Sequence, residues 1–323
     1  MKVGQLYNID SFKAMPEMVK DRISNIKFAD SYNGTVLERN LTQVDPTVFE
    51  KKYPELTFLN LGIDADNTGG YAKRIQSLRT KDNGEFAFAG NETGNKGKIS
   101  ISGEDNDILV YDKEAFAEWT KTDVEQAALQ GYSLTGRLMS TIDKVYKREI
   151  DSIGLTGIGV NAGLLNNTVF SSAAAGGTIQ TRTAQQMYDE ISALIIDQHN
   201  AVGNTPEYMA DTVIMPVDVL NKLTITILNS ASSPASVLLA LQANFPGVKF
   251  VSSFRAETGG VGSVSATVAF KASSDVMKFR LPVTLNVGEI ISKGSFQWKV
   301  DAMYRCAGLD ILESTGGRIL TGL

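Results

Sequence analysis

The sequence predicts an α+β fold, and three observations carry that prediction. Apolar residues from Leu134 to Ile150 recur at helical spacing. Residues 296–306 alternate apolar and polar side chains at the period of a strand. Helical and strand patterns follow one another without the regular βαβ alternation of a doubly wound sheet.

In chain order, residues 15–27 read as a short helix with Pro16 in its first turn and Val19, Ile23 and Ile26 on one face. The pairs Asp45-Pro46 and Tyr53-Pro54 break the chain beyond that helix, so residues 1–61 read as an arm with local structure. Residues 62–105 are rich in glycine, asparagine and charge. Within them Phe86 and Phe88 alternate with Glu85, Ala87 and Ala89, while Ile99 and Ile101 alternate with Lys98, Ser100 and Ser102. The Gly90-Asn-Glu-Thr-Gly-Asn-Lys-Gly97 run between them predicts a long β-hairpin. A lone two-stranded hairpin is marginal in water, so it is expected to lean on its own body or on a neighbour.

Residues 122–153 read as helix. Asp123 is expected to cap a short first piece that runs to Gln130 and is interrupted by Gly131. Leu134, Leu138, Ile142, Val145 and Ile150 then mark the longest amphipathic helix, expected to face the core. A glycine-rich passage comes next, and residues 183–200 form a helix with Met187, Ile191, Leu194 and Ile195 on one side. Residues 212–215 are a buried strand stopped by Pro216, and residues 217–223 and 237–244 are short helices. Residues 248–251, 264–270 and 277–285 are expected to be strands, with Pro282 marking an edge or bend in the last. In the final strand Phe296, Trp298, Val300, Ala302, Tyr304 and Cys306 share a face, expected to pack on the 134–150 helix.

Composition bounds function. A chain of 323 residues with 43% hydrophobic side chains can bury a core without staples. A net charge of −5 gives no overall field to attract nucleic acid, which is bound by neutralising phosphates with lysine and arginine. Lys13, Lys20, Arg22 and Lys27 could at most form a mild positive patch and read better as a solvated helix face. The single cysteine precludes an intrachain disulfide and fits a reducing compartment. Neither a signal peptide nor an apolar run long enough to span a bilayer is expected, hence no membrane partner.

The usual catalytic constellations lack parts. His199 is the sole histidine and reads as a helix-end or surface residue. Cys306 reads as a buried, reduced thiol with no role in joining subunits. One histidine and one distant cysteine make a poor zinc set. Residues 157–163 imitate a dinucleotide loop but have the wrong spacing and follow a helix. Residues 64–69 imitate a calcium loop, yet Ile75 occupies the position that needs a bidentate glutamate, so a solvated turn is expected there. Pairs among the 36 acidic residues leave a carboxylate-dependent hydrolase open as an alternative. No catalytic, cofactor-binding or metal-ligating residue is assigned, and no cofactor is expected.

A longer pattern runs through the second half. Trp119 precedes Glu125-Gln-Ala-Ala-Leu-Gln-Gly131; the long helix through Tyr146-Lys-Arg-Glu-Ile-Asp151 comes after it, then Gly157 and Gly163-Leu-Leu-Asn166. Thr212-Val-Ile-Met-Pro216, Arg305-Cys-Ala-Gly-Leu-Asp-Ile311 and Gly322-Leu323 complete it. Over roughly residues 105–323 this order resembles the major capsid proteins of tailed bacteriophages with the Hong Kong 97 fold. The resemblance implies an N-terminal arm (1–61) and an extended loop with the following strand (62–119). It implies a peripheral domain with a long spine helix (120–180 and 276–323) and an axial domain (181–275). It also implies self-assembly through pentamers and hexamers into an icosahedral shell enclosing phage DNA, touched weakly and non-specifically. Further implied partners are a separate scaffolding protein, a portal protein and decoration proteins. The place of action is the virion, after assembly in the host bacterial cytoplasm. An encapsulin-like nanocompartment shell shares the fold and remains an alternative. Lysine–asparagine cross-links occur in some members; Lys96 and Lys98 are expected instead to be solvated.

Overall fold

The computed structural model describes residues 56–86, 98–129, 131–229 and 233–323. The expected 15–27 helix, the four basic residues Lys13, Lys20, Arg22 and Lys27, the 45–54 breaks, Phe88 and the Gly90–Gly97 run with Lys96 lie outside the described residues. β1 (Ala65–Asp66), β2 (Arg74–Gly84), β3 (Ile99–Leu109) and β4 (Tyr111–Thr120) lead to α1 (Lys121–Leu129) and α2 (Leu134–Thr156). β5 (Ser171–Ala174), α3 (Ala184–Ala201), β6 (Thr212–Met215) and α4 (Val217–Ile225) are next in the chain. Then come β7 (Ile227–Asn229), β8 (Ser233–Ser236), α5 (Val237–Asn244), β9 (Lys249–Ser252) and β10 (Ala266–Phe270). The C-terminal run is mainly strand: β11 (Met277–Arg280), β12 (Val283–Val287), β13 (Ile291–Gly294), β14 (Gln297–Cys306), β15 (Gly308–Ile311) and β16 (Gly317–Thr321).

The five-stranded sheet β5-β16-β10-β6-β9 divides two apolar cores. Alternation explains how. Ile214, Val268, Phe270 and Ile319 point into the core shared with α2, while Val213, Met215, Ala269 and Leu320 point to the helix side. There Met187, Ile191, Leu194 and Ile195 of α3, Leu223 of α4 and Leu241 of α5 cover them. With both faces covered, β6 and β10 are buried at every position, which is why they read as apolar runs broken only by Thr212 and Thr267. Strands β5 and β16 come from the chain segments on either side of residues 181–275, so the sheet joins all three stretches of sequence.

Local chemistry sets the helix ends. Asp123 does not cap α1, contrary to the expectation from sequence. Thr120 does: its hydroxyl accepts from the Asp123 amide at 3.3 Å, and the Asp123 carboxylate accepts from the Thr120 amide at 2.9 Å. Gly131, at φ 81°, turns the chain between α1 and α2 in a conformation that side chains resist. Ser133 caps α2, and Thr183 closes a capping box on α3 with Gln186. α2 runs six residues beyond Ile150, and its burial is concentrated there, at Ile150, Asp151, Ile153, Gly154 and Leu155. The preceding turns are less covered than expected: Val145 is exposed, and Leu138 and Ile142 border an open groove against β4.

The last strand behaves largely as its alternation predicts. β14 pairs with β4 over ten residues, Val300, Ala302, Tyr304 and Cys306 are buried, and the Tyr304 ring meets Tyr146 of α2 edge-on at 5.1 Å. Two positions depart. Phe296 lies outside the strand and is 61% exposed, because the chain is still turning there, and Trp298 is half-buried. Its cross-strand partner Trp119 is the buried tryptophan. The expected 277–285 strand is two strands. Pro282 has no amide to continue a ladder; β11 stays in the sheet β1-β11-β15, and β12 joins β14.

The segment just before β1 is seated on α2. Phe58 lies on Gly154, where an added Cβ would overlap the ring, and meets Phe279 at 5.1 Å with the two rings tilted by 58°. Its amide donates at 2.7 Å to buried Asp151, which also accepts from Arg255 Nε at 3.3 Å. Burial raises the Asp151 carboxyl above its ordinary value, with the Phe58 amide and Arg255 opposing that rise. Alanine at 154 would gain about 1 kcal/mol of helix propensity but overpack a site where that typically costs ~1–3 kcal/mol. Gly154→Ala is therefore expected to lower the unfolding free energy by up to ~2 kcal/mol in denaturant titration, in contrast to the usual gain from removing a helix glycine.

Candidate assembly interface

The most unusual surface in the molecule is the hairpin formed by β2 and β3. Eleven register pairs run from Arg74–Leu109 to Gly84–Ile99, so the ribbon is long, and it is a two-stranded sheet of its own. Of the predicted Phe86–Phe88 alternation, Phe86 lies outside the ladder, and residues 87–97 are outside the described residues. The ladder ends at Gly84, Phe86 is 91% exposed beyond it, and β2 is built from the polar run Arg74–Gly84. Ile99 and Ile101 do lie on the second strand, as read from sequence, and Ile101 is 73% exposed; Leu78 is exposed as well. Among the described residues such a ribbon has two open edges and no core of its own.

Its root is different. Asp310 of β15 is completely buried, and its Oδ2 accepts from Ser77 Oγ at 2.7 Å and from Arg280 Nε and Nη2 at 3.1 and 3.0 Å. Its Oδ1 accepts from Asn106 Nδ2 at 3.0 Å. Arg280 of β11 also donates from Nη2 to Ser77 Oγ at 3.0 Å and pairs through Nη1 with Asp66 of β1. Burial acts to raise the Asp66 carboxyl. Hydrogen bonds from Thr68 and the charges of Arg280 and Lys278 outweigh it and hold the group below its ordinary value. Nearby, Arg305 pairs with Asp112, donates at 2.8 Å to the Gly70 carbonyl and lies 5.4 Å over the Tyr71 ring. The hairpin root is thus tied to the subunit by charge-assisted bonds.

A second polar clamp holds the turn after α2. Asn161 Nδ2 donates to the carbonyls of Leu109 and Ala307 at 2.7 and 2.6 Å, gripping the β3–β4 and β14–β15 junctions together. Asn166 accepts from the Gly163 amide at 2.7 Å and donates to the Thr156 carbonyl at 3.0 Å, which gives the Gly-Leu-Leu-Asn run its purpose. Gly157, at φ 87°, ends α2, so the glycines that imitate a nucleotide loop serve a helix terminus.

The other sequence candidates fall apart from one another. His199 sits half-buried in the last turn of α3, edge-on to Phe245 at 6.5 Å. Cys306 is buried on β14; burial is the main reason its thiol is pushed up to about 12, and its Sγ lies 3.6 Å from the Arg280 carbonyl oxygen. The imitation calcium loop is not the expected solvated turn throughout, since Ala65–Asp66 pairs with β11 and Asp66 is engaged by Arg280. Lys98 is exposed. Among the described residues no three His, Cys, Asp or Glu side chains are grouped to hold a metal, and no helix is long and apolar enough to cross a membrane. Sequence reasoning did not single out Asp66, Ser77, Asn106, Arg280 and Asp310 as one network. Its one visible trace is Asp310 within an apolar run, since a charge there implies a buried partner.

A body carrying a long ribbon outside its own core offers apolar surface that a larger assembly would cover. Comparison with known proteins agrees. The family model for major capsid proteins matches residues 87–322, and the chain belongs to that family. It is similar to the capsid of Myoviridae phage XM1, with 38% identity over 90% of this chain and 100% of that one and a TM-score of 0.81. The capsid of a native GTA particle (TM-score 0.66, 90% of this chain and 99% of that one) shares the fold at 12% identity. So does a Mycobacterium phage Ogopogo structure (TM-score 0.60, with the same coverage and identity). No functionally curated protein sequence matches. The fold is the α+β, Hong Kong 97-type capsid fold, and the protein is a structural component of the virion and not an enzyme.

Removing one member of a buried ion pair strands the other, at a typical cost of about 3–5 kcal/mol. Arg280→Met is expected to lose that much in chemical denaturation. Arg280→Met combined with Asp310→Leu should recover part of the loss, because the fully buried charge is gone, while Asp66 loses Arg280 and keeps the Thr68 amide at 2.9 Å.

Proposed function

We propose that this major capsid protein assembles through pentamers and hexamers into an icosahedral shell around phage DNA, with the β2–β3 hairpin of each subunit laid over an adjacent one. The observation that carries this reading is the hairpin itself. Its distal apolar side chains are exposed on the subunit, and burial against a neighbour is worth about 1.5–3 kcal/mol for each large side chain fully covered. Repeated around closed symmetric rings, contacts of that size hold a shell.

In this reading residues 1–61 are the N-terminal arm and 62–119 the extended loop and following strand. Residues 120–180 with 276–323 form the peripheral domain around the α2 spine, and 181–275 the axial domain. Assembly takes place in the host bacterial cytoplasm with a separate scaffolding protein. A portal protein and decoration proteins complete the particle, and packaged DNA is touched weakly and without sequence preference. The 38% identity to the XM1 capsid supports this reading over a nanocompartment shell or a hydrolase.

Replacing residues 84–102 with a short glycine-serine linker tests it. The root network is left in place, so the variant is expected to stay soluble with near-native circular dichroism and thermal midpoint, and to form no large particles by light scattering or electron microscopy. Normal particles from this variant would show that the distal hairpin has no part in assembly.

A further inference from the structure

We propose that Ser77 and Asn106, closed on the buried Asp310, are positioning residues that set the direction in which the hairpin leaves the subunit, and through it the uniformity of the shell. This rests on the reading of the hairpin as the assembly arm.

The geometry is specific. Ser77 on β2 and Asn106 on β3 face each other in the ladder, and each binds a different oxygen of the same carboxylate. Two bonds, one from each strand, fix both the tilt and the roll of the ribbon, where a single bond would leave a hinge. The carboxylate cannot turn to follow the ribbon, because Oδ2 is also held by Arg280, and Arg280 is held by Asp66. Two residues along β3 toward the body from Asn106, Ile108 is buried against the subunit. Outward of the Ser77–Asn106 rung, every hairpin residue whose exposure is described is exposed. That rung is therefore the fulcrum.

Seven further rungs, Leu78–Asp105 to Gly84–Ile99, extend beyond it. At ~3.3 Å per residue they make a lever of about 23 Å, so a swing of ~10° at the root carries the tip about 4 Å, the whole of a contact distance. Apolar packing alone would not hold that angle, since it is non-directional. Directional bonds to a buried charge do, which gives a reason for an ion pair where leucines would pack.

The test uses Ser77→Ala with Asn106→Leu, which leaves the Arg280–Asp310 pair intact. Spin labels at Ser100→Cys on the ribbon and Glu207→Cys on the body, both exposed positions, report the arm's direction by pulsed electron resonance; buried Cys306 stays unlabelled. The expected result is a distance distribution at least twofold broader in the free full-length subunit, together with particles of mixed diameter. A subunit that merely lost stability would keep the narrow distribution below its melting temperature. Ser77→Thr, which retains the hydroxyl, is expected to keep it too. An unbroadened distribution overturns the proposal. A broadened distribution with particles of uniform diameter overturns it as well, while leaving the hairpin's part in assembly standing; that part fails separately, if the linker variant assembles. Should the double variant not fold, Ser77→Ala alone is judged by the same two outcomes.

Discussion

A carboxylate removed from water must be met on every side, and Asp310 is met by a serine, an asparagine and an arginine drawn from three other strands. The pair with Arg280 joins β11 to β15, Asp66 brings in β1, and Ser77 and Asn106 bring in the hairpin. The desolvation of two charges makes this an expensive way to stabilise a body. What it supplies is direction. A ribbon with no core of its own acquires a fixed root, and the remainder of the ribbon is left free to bury its apolar side chains elsewhere.

The rest of the subunit is arranged to keep that root still. β11 and β15 lie in a sheet of their own, with Phe279 and Leu309 in the core that also takes Ile150, Ile153 and Leu155 from α2. Asn161 pins the β3–β4 junction to the β14–β15 junction, and Arg305 holds the turn at Gly70 and Tyr71. The body is thus braced on both sides of the point where the arm departs, and the five-stranded sheet behind it is covered on both faces.

Much of the body was legible in the sequence because its signals are local. Pro216 stops β6 where expected, residues 237–244 match α5 to the residue, and Thr183 announces α3. The alternation of β14 is clear because Val300, Ala302, Tyr304 and Cys306 are all buried on one face, while on the other only Arg305 is. The hairpin was legible only in outline. The side chains described in its outer part are exposed, so β2 carries no hydrophobic period, and the alternation read at Phe86 pointed to a residue outside the strand. The anchoring network left almost no trace. Ser77 and Asn106 lie 233 and 204 residues from Asp310, and a polar residue in a polar run gives no sign of such a distant partner. Asp310, charged within Ala-Gly-Leu-Asp-Ile-Leu, was the one residue whose surroundings announced a buried partner.

The account's central claim is that the hairpin is fixed at its root within one subunit and buried along its length only between subunits. Amide hydrogen exchange, followed through β2 and β3 in the free subunit and in the assembled particle, tests it directly. Slow exchange near Ser77 and Asn106 in both states, with fast exchange from Ile99 to Ser102 in the free subunit that becomes slow in the particle, is the predicted pattern. Equal protection from Ile99 to Ser102 in both states would contradict it, since those rungs would then owe their burial to the subunit itself.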